Sequence, residues 1–104
     1  DLDDADALRA SIGTSDILTN ATRVGMKPMD GESLITDLTM LRPGLIVTDV
    51  VYDPEETRLL REAKAAGCVT FDGLGMLVEQ GAASFKLYTG LEMPVDEVCD
   101  AIYR

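Results

Sequence analysis

The stretch LIVTDVV at residues 45–51 decides the predicted fold. It is rich in β-branched residues and almost continuously apolar, which is typical of a strand covered on both faces, as in a parallel sheet. The DPEE segment that follows predicts a helix that begins there, with Asp53 as its N-cap and Pro54 in its first turn. A strand that leads directly into a helix is the repeating unit of an α/β fold.

Upstream of this stretch the pattern predicts a helix, a strand and a long loop. An acidic segment capped by Asp3 or Asp4 has apolar residues at helical spacing. Residues 16–20 form a short apolar run that predicts a buried strand. Residues 21–44 are rich in glycine and proline, which indicates a loop with one short helix near residues 33–38.

Downstream the strand-and-helix order continues. Residues 69–71 predict a third strand, and Pro94 marks the start of a last helix after Gly90 has ended the one before it. The order of strands and helices predicts a parallel α/β sheet with right-handed crossovers. In the helix after the second strand, the residues expected to face the core are Leu59, Leu60, Ala63 and Ala66. In the helix after the third strand they are Leu74, Leu77, Val78, Gly81, Phe85 and Tyr88.

Composition excludes several classes of protein. The net charge of −10 argues against nucleic-acid binding, which needs lysine and arginine to neutralise phosphates, and against an acidic membrane surface. No apolar run approaches the ~20 residues needed to span a bilayer. Cys68 and Cys99 do not form a zinc-type spacing and histidine is absent, so we expect no metal site and two free thiols in a reducing cytoplasm.

The first candidate site is the loop NATRVGMKP at residues 20–28, directly after a predicted strand. Ligands of parallel α/β sheets lie at the carboxyl ends of the strands, and Lys27 could bind a phosphate or a carboxylate there. The alternative is an ordinary loop with a solvated lysine. Spacing alone favours the ordinary loop, because short motifs have a high false-positive rate.

The second candidate site follows the strongest predicted strand. Tyr52 offers a ring that can pack on a ligand and a hydroxyl that can bind it, but it could equally be a core tyrosine with a satisfied hydroxyl. Asp49 and Asp53 resemble a general acid/base pair, although Asp53 is better explained as an N-cap.

The third candidate site leads from the last predicted strand into a helix. Gly73 and Gly75 permit a close backbone approach, Met76 and Leu77 could form an apolar platform, and Gln80 could present its amide to a hydroxylated substrate. The alternative is glycine for packing and glutamine on a solvated face. Without histidine, serine-hydrolase and Cys–His schemes have no support, and no nucleophile–base pair is convincing.

These three loops, in this order, resemble the shikimate dehydrogenase family over residues 16–94, and the sequence around Lys27 and Tyr52 is most similar to its quinate/shikimate branch. The residues that carry the resemblance are Asn20-Ala21-Thr22, Val24-Gly25-Met26, Pro43-Gly44, Asp49-Val50-Val51-Tyr52-Asp53-Pro54, Thr57, Leu59-Leu60, Asp72-Gly73-Leu74-Gly75-Met76-Leu77-Val78, Gln80-Gly81-Ala82 and Phe85.

The resemblance implies part of a Rossmann-like, doubly wound parallel domain that binds NAD or NADP. It implies reversible hydride transfer between that cofactor and the ring hydroxyl of shikimate or quinate, in the chorismate route to aromatic amino acids. By resemblance the cofactor-binding residues are Ala21, Thr22, Arg23, Lys27, Val50, Gly73, Met76 and Leu77, with the carbonyls of Val50 and Gly73 directed at the nicotinamide amide. By the same resemblance Tyr52 and Gln80 bind the substrate.

The departures from the family pattern concern catalysis. The family's catalytic lysine and aspartate lie on an N-terminal substrate domain, and neither that domain nor the glycine-rich phosphate loop matches residues 1–104. We therefore expect a C-terminal portion of the NAD(P)-binding domain, with no catalytic residue, that is inactive alone. The alternative is a non-catalytic α/β module that binds a ligand or partner and covers its open sheet edge by forming a homodimer or by strand exchange. A flavodoxin-like regulatory domain fits the α/β order but does not explain the first and third loops together.

Overall fold

The computed structural model describes residues 1–103, which form two compact units divided after Gly73. The strands are β1 Ile17–Asn20, β2 Ile46–Asp49 and β3 Val69–Phe71. The helices are α1 Ala5–Gly13, a 3-10 helix Leu38–Met40, α2 Arg58–Ala65, α3 Leu74–Thr89 and α4 Val95–Ile102.

The first unit is built on a parallel sheet in the order β1-β2-β3. Ile17 pairs with Ile46 and Ile46 with Val69, so all three strands run side by side in the same direction. This arrangement confirms the predicted α/β class. The central strand, β2, lies in the stretch at residues 45–51 from which the fold was predicted. Leu45 and Val47 of that stretch are fully buried.

The core of the first unit lies around β2 and the inner face of α2. Leu59, Leu60 and Ala63 of α2 are all buried, as their helical spacing predicts. The buried cluster consists of Ile12, Ile35, Met40, Leu41, Leu45, Val47, Leu59, Leu60, Ala63 and Cys68. Gly67 has a φ of 88°, a left-handed conformation that suits glycine after a helix.

The predicted start of α2 is wrong. The helix begins at Arg58 with Thr57 as its N-cap, and residues 53–56 precede it without helical structure. The Thr57 hydroxyl oxygen accepts a hydrogen bond from the Leu60 amide at 3.3 Å and donates its own proton to Asp49 at 2.8 Å. Asp53 lies too early to cap because this buried pair fixes the first turn of the helix at Thr57.

Two further expectations about the first unit are wrong. The short helix expected near residues 33–38 is instead a single 3-10 turn, which Asp37 caps by accepting from the Thr39 amide at 3.0 Å. The first strand is not fully buried either, since Ile17 is 58% exposed. Within residues 1–103, β1 pairs with β2 alone and is therefore an edge strand.

The second unit consists of α3 and α4, and Gly90, with a φ of 73°, ends α3 as predicted. Leu74 and Val78 are buried, but Phe85 and Tyr88 are exposed, so their expected place in the core is wrong for this chain. The eight residues of α4 cover only part of the 16-residue α3. No helix among residues 1–103 is long and apolar enough to cross a membrane.

Candidate functional site

The three predicted loops begin at one edge of the sheet. Asn20 at the end of β1 pairs with Asp49 at the end of β2, and Thr48 pairs with Phe71 at the end of β3. The carboxyl ends of parallel strands are where open α/β sheets bind ligands. The sheet register therefore places the starts of all three loops beside one another.

Asn20 closes the first turn of the first loop. Its side-chain Nδ2 donates to the Val24 carbonyl at 2.9 Å, and its Oδ1 accepts from the Thr22 amide at 3.1 Å and the Thr22 hydroxyl at 2.7 Å. Asn20 is only 4% exposed. A buried amide that uses both its donor and its acceptor fixes the conformation of the turn that it spans.

The rest of the first loop is held against the start of α2. Gly25 has a φ of 102°, and a Cβ at this position would lie 3.4 Å from the side chain of Thr57. Further along, Arg58 donates from Nη1 to the Gly31 carbonyl at 3.2 Å. The predicted cofactor residues of this loop, Ala21, Thr22, Arg23 and Lys27, are all exposed. Two cationic side chains are thus presented to solvent from an anchored loop.

Asp49 connects the ends of β1 and β2 with the start of α2. Its Oδ1 accepts from Asn20 Nδ2 at 3.1 Å and from the Val51 amide at 2.9 Å, and its Oδ2 accepts from the Thr57 hydroxyl at 2.8 Å. The residue is 2% exposed. A buried carboxylate with three donors organises structure, so the acid/base interpretation of Asp49 with the exposed Asp53 has no geometric support. The sequence signal was an acidic residue inside an otherwise apolar strand, which needs partners when buried.

Gly73 lies against the backbone that follows β2. A Cβ at Gly73 would lie 2.5 Å from the Val50 carbonyl oxygen and 2.7 Å from the Val51 carbonyl oxygen, so only glycine fits without a backbone shift. The Val50 amide donates to the Asn20 carbonyl at 3.1 Å, which ties this backbone to β1. Val50 and Gly73, both predicted from the resemblance, therefore lie side by side.

The remaining predicted residues are largely at the surface. Tyr52 is 47% exposed, so its interpretation as a core residue is wrong. In the second unit Met76 is 55% exposed, and the exposed Gln80 donates from its amide to the Leu77 carbonyl at 2.8 Å. Each offers a side chain to solvent, and the Gln80 amide oxygen is an acceptor that this internal bond does not use.

A cavity of about 370 Å³ in the first unit contains none of the predicted cofactor residues. It is lined by Glu55, Glu56, Leu60, Lys64, Thr70 and Asp72. Lys64 Nζ lies 2.7 Å from Glu56 Oε2, and this hydrogen bond raises the pKa of Lys64 and lowers the pKa of Glu56. The cation is already paired, so the cavity does not present a free positive charge to an anion. Among residues 1–103 no group of three acidic or cysteine side chains could hold a metal ion.

Comparison with known sequences finds similarity to dehydrogenases of shikimate and quinate. The family described as the shikimate 5'-dehydrogenase C-terminal domain matches residues 73–103. The quinate/shikimate dehydrogenase of Shigella flexneri serotype 5b is 51% identical over 98 residues, which are 94% of this chain and 39% of that relative.

Comparison with solved structures extends the similarity to the fold. The shikimate 5-dehydrogenase of Listeria monocytogenes, in complex with shikimate and NAD, matches with a TM-score of 0.92 and 52% identity over 98% of this chain and 35% of that one. A shikimate dehydrogenase in complex with NADP+ matches with a TM-score of 0.81 and 42% identity over 88% of this chain and 32% of that one. The chain thus spans between 32% and 39% of the length of these relatives.

Proposed function

We propose a function from the premise that this chain belongs to the shikimate dehydrogenase family. The chain forms the nicotinamide side of the cofactor site in an oxidoreductase that acts on shikimate or quinate. The observation that carries the proposal is the junction of three strand-end loops at Asn20, Asp49 and Gly73. Its geometry suits a dinucleotide because a rigid, ordered edge presents backbone carbonyls and two cations.

The chemistry of the donor set fits NAD or NADP. Phosphates are anionic, and Arg23 and Lys27 are exposed on an anchored loop at the strand ends. A nicotinamide carboxamide has N–H donors, and the carbonyls of Val50 and Gly73 are acceptors beside one another. The bound nicotinamide would supply hydride transfer, while Ala21 and Thr22 line the dinucleotide and Met76 and Leu77 provide apolar surface.

The substrate is a small hydroxylated ring acid, shikimate or quinate, that Tyr52 and Gln80 bind through their polar ends. Tyr52 offers a hydroxyl and Gln80 an amide oxygen, and both residues are exposed. We assign no proton transfer to this chain. The residues that move the proton lie in the substrate domain expected from the family resemblance, and residues 1–104 alone are inactive. The protein acts in the cytoplasm on small molecules and, with a net charge of −10, not on nucleic acid.

The test is steady-state kinetics on the protein encoded by the complete gene. Absorbance of the reduced nicotinamide is followed with shikimate or quinate and with NAD or NADP. Lys27→Gln should raise the KM for the dinucleotide and leave the KM for the ring acid near the wild-type value. Lys64→Gln is the matched control, because it removes the same charge from a lysine that is paired with Glu56. No turnover with any of the four combinations would reject the proposed activity.

The exposed edge of the sheet favours one second candidate, a non-catalytic module that forms a homodimer. Ile17 on β1 is 58% exposed, and an unpaired edge strand is a template for pairing with a second copy. This candidate predicts a dimer of the 104-residue chain by light scattering and no dehydrogenase activity in the complete gene product. A monomeric chain together with turnover would exclude it.

A further inference from the structure

We propose that Asp49 is a positioning residue for cofactor recognition, because its carboxylate sets the direction of the Val50 carbonyl. This inference rests on the proposed function, in which that carbonyl accepts a hydrogen bond from the nicotinamide carboxamide. It adds a role for a buried residue that does not itself touch the cofactor.

A single peptide unit joins the Val50 carbonyl to the Val51 N–H. Its N–H donates to Asp49 Oδ1 at 2.9 Å. A trans peptide unit is planar, and its C=O and N–H point in opposite directions. The bond to Asp49 therefore turns the Val50 carbonyl away from the carboxylate, and that oxygen lies 2.5 Å from where a Cβ on Gly73 would be. The Val50 amide is held as well, by the Asn20 carbonyl at 3.1 Å.

The carboxylate is itself fixed from two other sides. Asn20 Nδ2 donates to Oδ1 at 3.1 Å, and the Thr57 hydroxyl donates to Oδ2 at 2.8 Å. Asp49 is 2% exposed, so water does not compete for these bonds. Rotation of the carboxylate would break at least one of them. The bond from the Val51 N–H to Oδ1 thus sets the direction of the Val50 carbonyl, and the bonds from Asn20 and Thr57 hold the carboxylate without touching that peptide unit.

Asparagine is the conservative substitution at this position. In Asp49→Asn the amide oxygen can still accept from Asn20 and Val51, and the amide nitrogen can donate to the Thr57 hydroxyl, which accepts as well as donates. Asp49→Ala removes the acceptor and frees the peptide unit to turn. Thr57→Val is the matched control, because it breaks a buried bond to the other oxygen of the same carboxylate and leaves the Val51 bond in place.

The experiment compares two ligands on the protein encoded by the complete gene. One is NAD or NADP, whichever binds more tightly, and the other is its 3-acetylpyridine analogue, which keeps the ring carbonyl but has no carboxamide N–H. Calorimetry gives the Kd of each. The wild-type protein should bind the carboxamide about fivefold more tightly, the change that one hydrogen bond of about 1 kcal/mol produces. Asp49→Ala should bring this ratio close to one, and Asp49→Asn and Thr57→Val should keep it near fivefold.

The outcomes separate the inference from the proposed function. A wild-type ratio of one would overturn the carboxamide contact of Val50, and both claims with it. A fivefold ratio that persists in folded Asp49→Ala would overturn the role of Asp49 alone. If Asp49→Ala does not fold, amide exchange in the wild-type protein decides. Slow exchange of the Val51 N–H supports the anchor, and exchange as fast as that of an exposed amide overturns it.

Discussion

Replacement of Gly73 by alanine tests the close approach between the end of β3 and the backbone after β2. The added Cβ would lie 2.5 Å from the Val50 carbonyl oxygen and 2.7 Å from both the Val50 carbonyl carbon and the Val51 carbonyl oxygen. Comfortable contact needs ~3.5 Å, so the two segments must move apart by about 1 Å. All three atoms are backbone, so no side chain can rotate to make room.

The expected cost follows from this geometry. Overpacking of a well-packed site typically costs ~1–3 kcal/mol, and the rigid neighbours place Gly73→Ala at the upper end of that range. Gly75→Ala is the matched control, since among residues 1–103 no atom outside its chain neighbours and the backbone of its own helix lies within 4 Å of its Cβ position. Gly75 is in α3, where alanine is favoured over glycine by up to about 1 kcal/mol. The two substitutions should therefore differ by ~2–4 kcal/mol in the free energy of unfolding.

Urea unfolding of the 104-residue chain, followed by circular dichroism, measures this difference. We expect Gly73→Ala to lower the urea concentration at the denaturation midpoint and Gly75→Ala to leave it unchanged or raise it. The free energy of unfolding should depend on urea concentration with the same slope in both variants. A Gly73→Ala variant as stable as Gly75→Ala would refute the close approach to Val50. In the complete gene product the same substitution should weaken dinucleotide binding, because it displaces the Val50 carbonyl.

Three further predictions concern the helix cap, the substrate side chains and the thiols. Thr57→Val should lower the free energy of unfolding by ~1–2 kcal/mol, whereas Thr57→Ser should keep most of it; equal stability of the two variants would contradict the cap. In the complete gene product Tyr52→Phe and Gln80→Ala should each raise the KM for shikimate or quinate about two- to tenfold, and unchanged kinetics in both would remove these residues from the substrate site. Burial raises the pKa of the Cys68 thiol, so at pH 8 iodoacetamide should alkylate Cys99 first; equal rates by mass spectrometry would contradict its burial.

The sequence was sufficient to predict the sheet because its strands carry strong local signals. Val47 lies in an apolar, β-branched run, and the run at residues 69–71 became β3 with the same bounds. The start of α2 could not be predicted from local preference, since Asp53 is as good an N-cap as Thr57. Tertiary structure decides between them, because the Thr57 hydroxyl is bound by Asp49, eight residues earlier in the chain.

The candidate site shows the same division between local and distant causes. The loops at residues 20–28 and 72–81 were found because each follows a predicted strand, where parallel α/β sheets bind ligands, and because Gly73 permits a close backbone approach. The connecting role of Asp49 was missed, since two of its partners, Asn20 of β1 and Thr57 at the start of α2, come close to it only in the folded chain. The 90% exposure of Tyr88 could not be predicted from the helical pattern either. The pattern shows which face of a helix is apolar, but it does not show whether another element packs against that face.

The most direct test of the central claim is a chimaera. Residues 1–104 would replace the aligned C-terminal part of the Shigella flexneri quinate/shikimate dehydrogenase, and reduction of NAD or NADP by shikimate and quinate would be measured at 340 nm. If this chain forms the nicotinamide side of the site, the chimaera turns over at least one ring acid, and the truncated relative without the graft does not. A chimaera that folds, as judged by circular dichroism, yet binds neither dinucleotide and shows no turnover would contradict the account.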